Sequence, residues 1–193
     1  QLAAEGANVA ICGRDEATSK AAAAEMAKVT GSKVIGLRAD TGSADDIKAL
    51  VASTVSELGG LDVLVNNAAT IGGTGGVDTL AQLNEPLLEA DFQVKMLGYL
   101  RCAHEAYPHM EAKGWGRIVN IDGMAARMAA GVSGGMRNAA VANATKVMSE
   151  ELGPKGITVN VVHPGATKTD ALAPRLQDRM EATGKSLEEV EAD

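Results

Sequence analysis

Short apolar runs and longer stretches of helical periodicity take turns along this chain. The apolar runs are Val9 to Cys12, Lys33 to Arg38, Leu61 to Val65, Gly116 to Ile121 and Ile157 to Val162. Each reads as a strand, and Leu61 to Val65 as a fully buried one. Between the first two lies an alanine-rich helical stretch, Glu16 to Val29. The next helix opens at Ser43-Ala-Asp-Asp46, which has the form of a capping box, and runs to Leu58, where Gly59-Gly60 closes it. A glycine-rich loop, 71–77, precedes a long helical pattern from about Glu85 to Lys113, with Pro108 expected to bend it near its end. Gly131 to Gly135 reads as a second loop before a helix that ends near Gly153. Beyond Pro164-Gly165 the chain is polar and helical. Gln1 to Gly6 reads as the last turn of a helix closed by glycine.

Strands alternating with helices at this spacing imply βαβ units, right-handed crossovers and a parallel sheet. In such sheets ligands bind at the carboxyl ends of the strands. The chemistry is therefore expected just after Cys12, Arg38, Val65, Ile121 and Val162. Composition narrows the picture further. Of 193 residues 46% are apolar but 2% are aromatic, and 22 are glycine, so small side chains must make the contacts between helices and sheet. A formal charge of −7 argues against a duplex-binding surface, which needs clustered Lys and Arg. The two cysteines, Cys12 and Cys102, fall in apolar periodic segments, as expected of buried thiols in a reducing compartment. Their spacing suits no zinc site, and no metal is expected. The sequence has no apolar run of membrane-spanning length and no secretory leader, so a cytoplasmic location is the expectation.

The strand ends, read together, are Cys-Gly-Arg14, Arg-Ala-Asp40, Val-Asn-Asn-Ala-Ala69, Gly-Arg-Ile-Val-Asn-Ile-Asp122 and Val-Asn-Val-Val-His-Pro-Gly165. This ordered set resembles the short-chain dehydrogenase/reductase family over essentially the whole chain. The resemblance implies an α/β fold: a Rossmann-type doubly wound parallel sheet in three αβα layers, with strand order 3-2-1-4-5-6-7. It also implies that the family's first strand, its glycine-rich phosphate loop and its last strand lie outside this sequence. Residues 1–193 would then be one partial NAD(P)-binding domain, with 170–193 as a helical region over the substrate.

The same resemblance assigns the cofactor edge. Arg14 stands where relatives that use NAD carry an acid for the ribose hydroxyl, and a guanidinium there would pair with the 2′-phosphate of NADP; a solvated arginine is the plainer reading. Asp40 and Thr41 would meet the adenine, since Ser43 already fits the cap of the following helix. Asn67 and Ala68 would line the cofactor, and Asn66 would tie the sheet edge. Pro164, Gly165, Thr167 and Thr169 would close over the nicotinamide, although Pro-Gly is also an ordinary turn.

The catalytic positions depart from the family, whose members use Ser, Tyr and Lys together with an Asn from the long helix. Register places Gly134 at the tyrosine and Asn138 at the lysine, and Asp122, or else Gly123, at the serine. Lys95 stands at the asparagine, so lysine and asparagine have changed places. Asp122, Lys95 and Asn138 are the catalytic candidates, Asn138 also facing the cofactor. Asp122 is the candidate acid/base, with an ion pair to Lys95 as the alternative, and Lys95 and Asn138 are expected to face each other. His104 and His109 read as solvated or helix-packed; His163, just before Pro164 near the cofactor edge, could reach substrate, but a polar strand end is the plainer reading. Two function classes follow. One is an oxidoreductase for a small carbonyl or alcohol, favouring NADP(H); the other is an NADP-binding protein of impaired chemistry, or a regulatory subunit of a mixed oligomer. Association into a homo-oligomer is expected through helices 85–113 and 138–152.

Overall fold

Strands and helices alternate as the pattern demands in a computed structural model that describes residues 1–69, 77, 79–129, 131–165 and 172–192. The order is β1 (Val9–Gly13), α1 (Glu16–Thr30), β2 (Val34–Arg38), α2 (Ala44–Leu58), β3 (Val63–Asn66), α3 (Glu85–Phe92), α4 (Gly98–Glu111), β4 (Gly116–Ile121), α5 (Val132–Leu152), β5 (Ile157–Val162), α6 (Leu172–Thr183) and α7 (Leu187–Ala192). The chain forms two compact units, Gln1–His163 and Pro164–Asp193.

In the first unit the local signals work as read. Asp15 caps α1 by accepting from the Thr18 N–H at 2.7 Å, and Ser43 caps α2 by accepting from the Asp46 N–H at 3.2 Å. Gly31 and Gly59 end these helices at φ of +72° and +83°, where a side chain would be strained. All pairing is parallel: β1 with β2, and β3, β4 and β5 in that order. Among the described residues β1 and β3 therefore each pair on one side only. That corrects the expectation of a fully buried strand at Leu61 to Val65: the strand is Val63–Asn66, and Val63 and Val65 are exposed. Cys12, on the open edge strand β1, is exposed too, and only Cys102 is buried as expected.

Small residues bring the layers together. Ala103, Ala106 and Met110 of α4 form one buried cluster with Ile118, Ile157, Val159 and Leu152. On the other sheet, α1 crosses β2 so closely that a Cβ on Gly36 would lie 2.2 Å from the Ser19 carbonyl oxygen. Backbone cannot yield there as a flexible side chain would. Gly36→Ala is expected to destabilise by about 1–3 kcal/mol, read as a lowered urea midpoint, whereas an unchanged midpoint would mean the helix shifts freely.

The long helical pattern needs correction. It is α3, then a π-turn over Gln93–Leu97, then α4, which continues through Pro108 and stops at Glu111, short of Lys113. A widened turn places its side chains differently from a regular helix, and it occurs at the segment carrying Lys95. The loop expected over Gly131–Gly135 is also shorter than read. Helix α5 starts at Val132, so Gly134 and Gly135 are helical, the low helix propensity of glycine being outweighed by anchoring of Ser133, which is buried and donates its N–H to the Val77 carbonyl at 2.9 Å.

In the second unit Ser186 and Glu189 form a capping box at the start of α7. The Glu189 carboxylate accepts from the Ser186 N–H at 2.8 Å, and the Ser186 hydroxyl accepts from the Glu189 N–H at 3.4 Å. Among the described residues no helix is long and apolar enough to cross a membrane.

Candidate active site

Side-chain polarity collects at the carboxyl ends of β3, β4 and β5. Asn66 turns inward and donates to Asn120 Oδ1 at 2.9 Å, while Asn120 donates to the Thr145 hydroxyl at 2.8 Å and that hydroxyl donates to the Val141 carbonyl at 2.7 Å. This buried chain of hydrogen bonds ties β3 to β4 and β4 to α5. One residue further along β4 and β5, the Asp122 N–H donates to the Val162 carbonyl at 2.8 Å, so the pairing continues past the last strand residues. Asp122 and His163 thus lie side by side, and neighbouring residues of a parallel pair project to the same face.

Three of the expected residues meet there. Lys95 Nζ donates to Asn138 Oδ1 at 2.9 Å and lies 3.3 Å from Asp122 Oδ1. Both ions are sealed, with side-chain exposures of 4% for Lys95 and 0% for Asp122. On the other side of the carboxylate, His163 Nδ1 lies 3.4 Å from Asp122 Oδ2 and 3.2 Å from the Gly123 carbonyl oxygen. Neither carboxylate oxygen has a well-aligned hydrogen bond among the described residues, and Lys95 and His163 face them as charge partners. Gly123 permits the arrangement, because a Cβ there would stand 2.7 Å from Asn138 Nδ2. The Tyr99 hydroxyl donates to the Ile121 carbonyl at 2.8 Å, fixing α4 against β4, and its ring lies 5.9 Å from Lys95 Nζ.

Burial opposes charge on both partners. Loss of hydration pushes the Asp122 carboxyl above the usual carboxylate range, with Lys95, His163 and Arg137 pulling it back. It lowers the Lys95 ammonium, with Asp122 pulling it up. Tyr99 is raised by burial and by the Asp122 charge, which leaves its phenol neutral. Next to this cluster Arg137 of α5 pairs with Asp91 of α3, both nearly buried.

The remaining expected residues are spread along the strand ends. Arg14 is exposed after β1, and its side chain has no ion pair or hydrogen bond among the described residues. The Asp40 carboxylate accepts from the Gly42 N–H at 2.9 Å, which holds the Asp40–Thr41 turn in shape. Helix α4 rests against that turn, where a Cβ on Gly98 would lie 3.0 Å from the Thr41 carbonyl. Asn67 is exposed and Ala68 half-buried after β3. Pro164 and Gly165 are exposed in the second unit, and Thr167 and Thr169 lie outside the described residues. Gly134 offers no acid or base, and a Cβ there would touch only Ala125, at 3.9 Å. His163, read from sequence mainly as a polar strand end, stands beside Asp122, a place that follows from the pairing of β4 with β5. Arg137 and Asp91 carried no sequence signal, being brought together from separate helices.

A dinucleotide suits what is left unengaged: a free guanidinium at Arg14 and an outward Asn67, with Asn66 committed inward. Comparisons with known proteins give the family of the chain. The profile of the family described as short chain dehydrogenase matches residues 1–180. The chain is 35% identical over 180 residues to the short-chain reductase protein NovJ of Streptomyces niveus, covering 91% of this chain and 67% of that protein. It is 33% identical over 188 residues to the 3-oxoacyl-[acyl-carrier-protein] reductase FabG of Staphylococcus aureus, covering 93% and 74%. In fold it is similar to L-sorbose reductase of Gluconobacter frateurii, whose crystal structure holds NADPH and L-sorbose, with a TM-score of 0.85 at 24% identity over 97% of this chain and 70% of that one.

Proposed function

This chain belongs to the short-chain dehydrogenase family, whose members use NAD(P), and we propose that it is an oxidoreductase favouring NADP(H) that acts on a small carbonyl or alcohol. The observation that carries this reading is the buried Asn138–Lys95–Asp122 chain at the strand ends, in place of the family's usual residues. Two buried charges with no function would be replaced by apolar side chains at little or no cost in stability. When bound, a reduced nicotinamide supplies the hydride; this chain's residues supply binding, orientation and the proton. Arg14 pairs with the 2′-phosphate, Asp40 and Thr41 face the adenine, and Asn67 and Ala68 line the dinucleotide. Lys95, held by Asn138 Oδ1, keeps positive charge beside Asp122. The protein self-associates through helices 85–113 and 138–152, whose exposed Leu87 and Val147 are apolar side chains such an interface would cover.

A second reading, cofactor binding without turnover, is favoured by the absence of any phenol at Gly134 and by the sealing of Asp122. NADPH consumption with a soluble 3-oxoacyl thioester and with L-sorbose separates the two: turnover supports the oxidoreductase, and none with either probe favours a binding role. NADP preference has its own test. Arg14→Ala is expected to weaken NADPH binding by about 1.5–3 kcal/mol in a calorimetric titration and to leave NADH unaffected. Equal affinity of the unmutated protein for both dinucleotides would end that assignment.

A further inference from the structure

We infer that His163 is the proton-transfer residue of this site, with the Asp122 carboxylate orienting its ring. The inference rests on the oxidoreductase reading and adds the group that reading lacks. Hydride addition to a carbonyl leaves an oxygen that must gain a proton, and Gly134 provides no donor. Lys95 and Asp122 are closed off at 4% and 0% side-chain exposure. At 17%, His163 is the member of the Lys95–Asp122–His163 series that reaches the surroundings.

The ring's environment also selects a tautomer. Nδ1 faces two acceptors, Asp122 Oδ2 at 3.4 Å and the Gly123 carbonyl at 3.2 Å, and a carbonyl oxygen cannot donate in return. Nδ1 therefore carries hydrogen, and Nε2 is the nitrogen that gains and loses a proton, the arrangement a carboxylate imposes on an acid/base imidazole. His163 lies beside Asp122 on one face of the sheet, at the strand ends where open α/β sheets bind ligands. The charged groups around the pair are Lys95 from the π-turn and Arg137 from α5, the latter joined to Asp91 of α3. In carbonyl reduction the Nε2–H bond of the imidazolium breaks as an O–H bond forms on the substrate, whose carbon accepts the hydride and its two electrons from the reduced dinucleotide. The imidazole left behind keeps its Nδ1 hydrogen and takes a new Nε2 proton from water.

The test uses His163→Asn, whose amide N–H can stand in for the Nδ1 donor while Nε2 is lost. With NADPH and either a soluble 3-oxoacyl thioester or L-sorbose, kcat is expected to fall 10²–10⁴-fold at unchanged NADPH affinity and unchanged urea midpoint. Nitrogen NMR of the ring-labelled, unmutated protein without cofactor is expected to show His163 as the Nδ1–H tautomer, a readout independent of turnover. Unchanged kcat in the variant, or an Nε2–H tautomer, would overturn the role of His163 alone. No turnover by the unmutated protein with either probe would overturn the oxidoreductase reading and this role with it. Should His163→Asn fold poorly, His163→Gln is measured in the same way and decides on the same outcomes.

Discussion

Lys95→Met is expected to lower stability by about 3–5 kcal/mol at neutral pH, measured by urea unfolding. Methionine fills nearly the same volume, so the loss is electrostatic. The variant leaves the Asp122 carboxylate, with no exposed side-chain surface, without its closest cation and with only His163 and the more distant Arg137 to offset its charge, and leaves Asn138 Oδ1 without its donor. Removing both charges is a different matter. Lys95→Met combined with Asp122→Leu is expected to regain most of that stability or exceed the unmutated protein, because two desolvated ions then disappear together. The pH dependence has a definite sign. Burial raises the Asp122 carboxyl in the folded state, so between its unfolded and folded values the folded protein holds more protons, and stability falls as pH rises through that window. Lys95 is lowered, so between its folded and unfolded values the unfolded chain holds more protons, and stability is lost as pH falls through the folded value. In Lys95→Met only the first window remains. The deficit should therefore shrink as pH is lowered and Asp122 takes a proton. A deficit of under about 1 kcal/mol at neutral pH would mean that water reaches the pair and that it is not sealed.

Sequence pattern carried the strands and helices of the first unit because each is bounded by local chemistry: Asp15 and Ser43 at the helix starts, Gly31 and Gly59 at their ends. That Lys95 and Asn138 face each other was also legible, since counting residues along the helical segments placed both in one region, and the two side chains meet at 2.9 Å. Three features were not legible. The π-turn at Gln93–Leu97 has no local sequence marker, because an extra residue in a helical turn is selected by what the turn must pack against. The exposure of Val63 and Val65 reflects which strands pair with β3, a tertiary fact that an apolar run cannot report. His163 gained its significance from the pairing of β4 with β5, which sets it against Asp122 across a long separation in the chain. The resemblance assigns the family's usual positions to Gly134, Asn138 and Asp122, whereas the group proposed in place of the phenol, His163, was found through its contact with the carboxylate.

Asp122→Asn is expected to lower turnover of a responsive carbonyl probe 10²–10⁴-fold while leaving NADPH affinity nearly unchanged. The amide keeps the shape of the carboxyl but not its charge, so the ring keeps the Gly123 carbonyl as an acceptor for its Nδ1 hydrogen but loses the negative charge that favours the imidazolium. Affinity should hold because Asp122 has no exposed side-chain surface, whereas the dinucleotide is assigned to exposed groups such as Arg14 and Asn67. The single variant also leaves Lys95 as an uncompensated buried cation, so a drop in turnover could reflect a weakened fold. Asp122→Asn with Lys95→Met resolves this, because it removes the stranded cation and should recover stability. If Asp122 acts on His163, turnover stays low in that folded double variant. Recovery of turnover together with stability would reduce Asp122 to a structural counter-ion, and full turnover in the single variant would remove it from the mechanism.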